Sequence, residues 1–136
     1  MLRILIVDDN QTLRRALRGM LSKRADWFVC GEAANGLQAV QLAAKLKPDA
    51  VLLDFRMPLM NGLEAAREII KNDPSVPIAM YTLVDQSVRF ESEAARIGVR
   101  KIISKSDIFQ SLVSSLDEMA ASKHPNKGGP VAESGC

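Results

Sequence analysis

Short apolar runs alternate with helical patterns along most of this chain, and this alternation limits the possible folds more than any other feature. Between and after the runs, apolar residues recur at helical spacing, as in Leu13, Leu17 and Leu21. The pattern predicts an α/β fold in which five strands alternate with five helices. The predicted strands are Ile4–Val7, Trp27–Cys30, Ala50–Leu53, Pro77–Tyr81 and Val99–Ile103.

The strands are apolar throughout and do not alternate with polar residues, which is typical of strands covered on both faces. Strict alternation of strands and helices predicts a parallel, doubly wound sheet with right-handed crossovers. For five strands we expect the order 2-1-3-4-5, which places a ligand site beyond the carboxyl ends of the first and third strands.

Residues that favour helix ends mark the boundaries of the helices. Asn10 and Asn35 are suited to cap the first two helices, and Ser106 or Asp107 to cap the last. We expect the fourth helix over Ser87–Ile97 and the fifth over Asp107–Ala121.

The chain of 136 residues is long enough for one domain with its own core. From Ser122 the sequence SKHPNKGGPVAESGC is rich in glycine and proline and poor in apolar residues. We therefore predict a globular domain over residues 1–121 and a flexible tail or linker stub over residues 122–136.

The composition of the chain and the shortness of its first apolar run argue against several classes of partner and location. The chain has 18 basic and 16 acidic residues, which are interspersed. The basic residues form no arm of the kind that binds nucleic acid. Cys30 and Cys136 make neither a disulfide framework nor a metal-ligand pair. The apolar run Leu2–Val7 is too short for a signal peptide or a membrane span. We expect a cytoplasmic protein that contacts neither nucleic acid nor membrane.

Polar residues follow four of the five predicted strands, near the point where each strand ends: Asp8 and Asp9, Asp54, Thr82 and Lys105. The carboxyl ends of parallel strands meet at one edge, so three carboxylates are expected to lie together there. Such a cluster needs a hard cation such as Mg²⁺ or raises pKa values. Asp54 is then a plausible nucleophile toward phosphorus, with Mg²⁺ and Lys105 neutralising charge on the transferred group and Thr82 donating a hydrogen bond to it.

Each of these residues also has a purely structural interpretation. Asp8 and Asp9 are suited to cap the first helix, Lys105 to lie in solvent, and Thr82 to end a strand. A carboxylate directly after four buried residues, as at Asp54, is costly for a purely structural role. The joint placement of the residues at one edge favours a phosphoryl-transfer site.

The chain carries four motifs, each at the end of a different strand: Asp8-Asp9, LLDFRMPLMNG, Thr82 and Lys105. With these motifs it resembles the receiver domain of two-component response regulators over Leu2 to Ala121. The resemblance implies that Asp54 accepts a phosphoryl group from a histidine kinase or a histidine phosphotransfer protein. The donor histidine is expected to be external, because the single histidine, His124, lies in the tail.

The resemblance also implies a role for each site residue. Asp8, Asp9, Asp54 and the backbone carbonyl of Arg56 are expected to hold Mg²⁺. Thr82 and Lys105 are expected to bind the phosphoryl oxygens. A protein of this class catalyses only its own phosphorylation and dephosphorylation and signals by changing its contact surface.

The chain departs from the family pattern at three positions. Ile102 stands where an aromatic residue usually reports phosphorylation, and Leu83 follows Thr82 where alanine is common. Two alternatives stay open for Leu83: it narrows the mouth of the site and slows loss of the phosphoryl group, or it only packs against the neighbouring helix. Ser106 follows Lys105 where proline is frequent, a pattern more typical of receivers fused to DNA-binding domains.

Several alternatives stay open at this point. The chain is either a stand-alone receiver or part of a longer DNA-binding regulator, and the fourth helix, fifth strand and fifth helix form a possible homodimer face. An aspartate-nucleophile phosphatase is a second class, although Arg56 takes the place of its second acid. A flavin carrier is a third, although the acidic DDNQT segment after the first strand would repel a flavin phosphate.

Overall fold

The computed structural model of the chain describes residues 1–82 and 88–123. Within these residues strands and helices alternate, with one short 3-10 turn before the last helix. The elements are β1 (Leu2–Val7), α1 (Gln11–Leu21), β2 (Trp27–Ala33), α2 (Gly36–Leu46), β3 (Ala50–Asp54), α3 (Gly62–Asn72), β4 (Ile78–Thr82), α4 (Val88–Ile97), β5 (Lys101–Ser104), the 3-10 turn (Lys105–Asp107) and α5 (Ile108–Lys123).

The strands form one parallel five-stranded sheet in the order β2-β1-β3-β4-β5. This arrangement confirms the predicted α/β fold and strand order. Val7 lies opposite Leu53, and Thr82 lies opposite Ser104. The carboxyl ends of β1, β3, β4 and β5 therefore lie side by side.

Helices cover both faces of the sheet, which explains why the strands carry apolar residues at consecutive positions. Ile4 and Ile6 of β1 pack in the core beneath α1 and α5. Leu5 and Val7 of the same strand pack in the core beneath α2, α3 and α4. All four side chains are fully buried.

Two predicted helix caps are confirmed. Asn10 precedes α1, and its side chain accepts the Leu13 N–H. Asn35 precedes α2, and its side chain accepts the Gln38 N–H. Both residues have extended backbone, as N-caps require.

The predicted cap of α5 is wrong. The 3-10 turn precedes that helix, and the side chain of Ser104, not Ser106 or Asp107, caps the turn by accepting the Ser106 N–H. The turn begins directly at the end of β5, so the cap comes earlier than the helical pattern alone indicates. Its first residue, Lys105, thereby stays at the edge of the sheet.

The start of β5 also lies later than predicted, at Lys101. Gly98 has a φ of 115°, and the N–H groups of Gly98 and Val99 both donate to the Ala94 carbonyl. Val99 therefore completes the end of α4 and does not begin the strand.

The C-terminal end of the described part of the chain is helical up to Lys123. The predicted boundary near residue 121 and the predicted tail stay predictions, since residues 124–136 lie outside the described part, as does the predicted start of α4 at Ser87. Across residues 1–82 and 88–123, no helix is both long and apolar enough to span a membrane.

Candidate functional site

The carboxyl edge of the sheet brings together the side chains that the sequence places after different strands. Asp8 follows β1, Asp54 ends β3 and Lys105 follows β5. Lys105 Nζ lies 3.2 Å from Asp54 Oδ1 and 3.9 Å from Asp8 Oδ2. Thr82 ends β4 and is buried at the same edge. The fold thus joins residues that are far apart in the chain.

Three carboxylates form an acidic cluster at this edge. One carboxylate oxygen each from Asp8, Asp9 and Asp54 lies within 4.8 Å of the others. Asp8 and Asp54 are buried, whereas Asp9 is exposed. Like charges this close repel one another in a poorly hydrated environment. A set of carboxylate oxygens that is open to solvent on one side fits the ligand preference of Mg²⁺.

Neighbouring groups neutralise the negative charge of the Asp54 carboxylate only in part. Its Oδ1 is paired with Lys105, but its Oδ2 is buried and has no hydrogen-bond partner among the described residues. Burial, reinforced by the charge of Asp8 and opposed by Lys105, raises the pKa of Asp54 from 3.8 to about 7. A buried oxygen without a partner is costly. A bound cation would remove this cost, so the residues present fit a metal site.

Asp8 is held by hydrogen bonds at both oxygens. Its Oδ1 accepts the backbone N–H of Asn10 at 2.8 Å, and its Oδ2 accepts the hydroxyl of Tyr81 at 2.8 Å. The N-cap of α1 is Asn10. The alternative that Asp8 or Asp9 caps this helix is therefore wrong.

Tyr81 is a site residue that the sequence analysis missed. Its side chain is fully buried, and its ring centroid lies 5.4 Å from Lys105 Nζ. Burial, and next the negative charge of Asp8, raises the pKa of Tyr81 well above its ordinary value, so the hydroxyl remains a donor. One signal was present in the sequence: a tyrosine in an otherwise aliphatic buried strand needs a hydrogen-bond partner.

Arg14 is a second residue that the sequence analysis missed. Its Nη1 donates to the backbone carbonyl of Asp8 at 2.6 Å, and its Nε pairs with Glu32 of β2 at 3.0 Å. These contacts fix the turn between β1 and α1 that carries the acidic residues. No local sequence pattern predicts these contacts, because Arg14 and Glu32 lie on different elements.

The loop between β3 and α3 borders the site with an open cleft. The Gly62 N–H donates to the Phe55 carbonyl at 2.7 Å, which closes the loop tightly after Asp54. The side chain of Arg56 is exposed. The predicted role of its backbone carbonyl as a metal ligand stays a prediction. The cleft is lined by Asp9, Phe55, Arg56, Met57, Pro58 and Asn61.

Comparison with known proteins identifies the family. The family sequence model of the response regulator receiver domain matches residues 4–117 of this chain. The chain belongs to the response regulator receiver family. The family resemblance seen in the sequence is thereby confirmed.

Related sequences come from proteins of different architecture. The receiver is 40% identical over 105 residues to protein CcdB of Bacillus subtilis, covering 77% of this chain and 86% of that protein. It is 41% identical over 106 residues to a protein-glutamate methylesterase/protein-glutamine glutaminase of Methanococcoides burtonii, covering 77% of this chain. The matched part is 30% of that enzyme's length. The chain therefore spans under a third of the methylesterase relatives.

Solved structures show the same fold. The response regulator domain of Thermotoga maritima CheB superposes with a TM-score of 0.80 and 32% identity, covering 90% of this chain and 96% of that one. A LuxR-family two-component response regulator from Aurantimonas sp. SI85-9A1 superposes with a TM-score of 0.84 and 30% identity, covering 90% and 86%. The fold is thus shared with receivers from regulators of more than one kind.

Two of the departures from the family pattern lie on described residues. In this receiver Ile102 is half-buried and packs against the core beneath α2, α3 and α4. The Ser106 hydroxyl lies 2.8 Å from that of Ser104. Leu83 lies outside the described residues. Its predicted effect on the lifetime of the phosphoryl group stays a prediction.

Proposed function

We propose that this receiver accepts a phosphoryl group on Asp54 and acts as the phosphorylation-dependent switch of a two-component system. The observation that carries the proposal is the buried Oδ2 of Asp54 beside Asp8, which has no hydrogen-bond partner among the described residues, with Lys105 on the other oxygen. This arrangement leaves one carboxylate oxygen of Asp54 available to the cation or to phosphorus. Membership of the receiver family supports the same conclusion.

In this proposal Asp8, Asp9, Asp54 and the backbone carbonyl of Arg56 hold Mg²⁺. When bound, the cation neutralises charge on the phosphoryl group during its transfer. A carboxylate oxygen of Asp54 attacks phosphorus as the bond to the donor nitrogen breaks.

The cationic and hydroxyl groups of the site are proposed to hold the transferred group. Lys105 is already within 3.2 Å of the Asp54 carboxylate, so its ammonium is placed to bind a phosphoryl oxygen after transfer. The hydroxyl of Thr82, at the end of the neighbouring strand, is proposed to donate a hydrogen bond to a second phosphoryl oxygen.

The donor is proposed to be a phosphohistidine of another protein, either a histidine kinase or a histidine phosphotransfer protein. Within the described residues there is no histidine to supply one. We place the reaction in the cytoplasm and restrict catalysis to self-phosphorylation and self-dephosphorylation. Two residues after Asp54, where a phosphatase of this class would have its second acid, the chain has Arg56.

Mass spectrometry of the chain incubated with acetyl phosphate and Mg²⁺ tests the proposal. We expect one phosphoryl group per chain, which is absent with Asp54→Asn and absent when a chelator replaces Mg²⁺. Labelling that persists in Asp54→Asn or in chelator would contradict the proposal. Turnover of a generic phosphoester would instead favour the phosphatase class.

A further inference from the structure

We propose that Tyr81 is a positioning residue of this site: its hydroxyl holds the Asp8 carboxylate in place and keeps Lys105 directed toward Asp54. The inference rests on the proposed function, because it concerns the residues that would hold Mg²⁺ and the phosphoryl group. Tyr81 touches neither group itself and acts through its two neighbours.

The first part of the argument concerns the orientation of Asp8. Its carboxylate is fully buried, so each oxygen needs a partner. The Asn10 N–H holds Oδ1 and the Tyr81 hydroxyl holds Oδ2, each at 2.8 Å. Rotation of the carboxylate would break both bonds. Each oxygen keeps a second lone pair, so these bonds still allow a cation to be bound.

The second part concerns how Lys105 is shared between two carboxylates. Its Nζ lies 3.2 Å from Asp54 Oδ1 but 3.9 Å from Asp8 Oδ2. The Tyr81 hydroxyl already satisfies Asp8 Oδ2, so Lys105 is left to pair with Asp54. Without this hydroxyl, Asp8 Oδ2 would lose the donor at 2.8 Å, and the Lys105 ammonium at 3.9 Å would be the nearest cation among the described residues to replace it.

The third part concerns the rigidity of Tyr81. The residue lies within β4 opposite Asp54 and Ile103. Its ring is fully buried in the core beneath α1 and α5, and its hydroxyl also lies 3.2 Å from the Val7 carbonyl. A side chain held on all sides in this way places its hydroxyl at a fixed point. Positioning a charged neighbour requires such a fixed point.

Tyr81→Phe removes the hydroxyl and keeps the ring, so it isolates the hydrogen bond. We expect the dissociation constant for Mg²⁺, measured by calorimetry without any phosphodonor, to rise about tenfold, the usual effect of removing a group that orients a metal ligand. Ser115→Ala is the matched control, because it removes another buried hydroxyl, on α5. This control should bind Mg²⁺ like the unaltered chain. Thermal unfolding in chelator records the stability of each variant.

The outcomes separate the inference from the proposed function. Unaltered Mg²⁺ affinity in Tyr81→Phe, with a lowered melting temperature, would overturn the inference and show that Tyr81 only packs. Failure of the unaltered chain itself to bind Mg²⁺ would instead overturn the proposed function.

A second measurement does not depend on the folding of a variant. Tyr81 is the single tyrosine of the chain, so 3-fluorotyrosine labels this position alone. We expect the fluorine resonance to shift as Mg²⁺ is added, with the same saturation as calorimetry, since the cation draws charge from the Asp8 carboxylate that accepts the hydroxyl. A resonance that Mg²⁺ leaves unmoved would overturn the inference.

Discussion

At the scale of single residues, the carboxyl group of Asp54 opposes folding of the metal-free chain. Burial and the neighbouring Asp8 raise its pKa from 3.8 to about 7. Between these pH values the folded chain keeps a proton on Asp54 that the unfolded chain has released. The contribution of Asp54 to the free energy of unfolding should therefore be most favourable below about pH 4 and fall as the pH rises to about 7.

Asp54→Asn removes this titration while keeping the shape of the side chain. In chelator at pH 8 we expect the variant to be more stable than the unaltered chain by about 2–4 kcal/mol. The difference should nearly vanish at pH 4, where Asp54 is neutral in the folded chain. Denaturant unfolding across this pH range measures it, with Glu91→Gln on α4 as an exposed control. Equal stability at both pH values would show that the carboxyl group is not destabilised by its surroundings.

At the scale of elements, the site depends on how closely α3 begins beside β3. Gly62 is the first residue of α3, and a Cβ built on it would lie 2.6 Å from the Asp54 carbonyl oxygen and 2.8 Å from the Phe55 Cα. Both are backbone atoms, so no side-chain rotation relieves the overlap. A glycine is required here because the two backbones approach each other, and Asp54 sits at the point of approach.

Gly62→Ala should therefore lower the free energy of unfolding by about 1–3 kcal/mol, the usual cost of overpacking. The matched control is Gly19→Ala in α1, where a Cβ would meet no atom of the described residues within 4 Å. Alanine favours the helix at this position, so the control should gain about 0.5–1 kcal/mol. Denaturant melts of the three chains give both values. If Gly62→Ala were as stable as the unaltered chain, α3 would not begin as close to β3 as described.

At the scale of the whole molecule, the site connects to the surface formed by α4, β5 and α5. Lys105 joins β5 to α5, and Lys101 of β5 pairs with Glu118 of α5. On the other side, Glu93 of α4 pairs with Arg67 of α3. Ile102 lacks the aromatic ring that is usual at this position, so we expect movement of the backbone to carry more of the phosphorylation signal. We propose this surface as the face that changes and that forms a homodimer.

Hydrogen exchange with and without Mg²⁺ and beryllofluoride, a phosphoryl mimic, tests this surface. We expect altered protection in α4, β5 and α5, and a change in self-association by sedimentation. Asp54→Asn, which lacks the acceptor, is the control and should show neither. Changes confined to the loop between Asp54 and Gly62 would argue against a signal that reaches α5.

Much of the fold and most of the candidate site were predictable from the chain alone. Buried strands appear in the sequence as apolar runs, and the residues that end parallel strands lie at the same edge of the sheet. Asp8, Asp54 and Lys105 were therefore predicted together, and the structure joins them. The caps at Asn10 and Asn35 followed from local chemistry. The cap of α5 did not, because a short turn after β5 replaces the expected helix start.

The order of the elements and the charged residues at their ends can be read from the chain, since both depend on local pattern and on parallel pairing. The hydrogen bonds that those residues make depend on the folded arrangement. Tyr81 meets Asp8, and Arg14 meets Glu32, through contacts between different elements. Such contacts depend on side-chain direction and packing, and these are settled only when the elements come together in three dimensions.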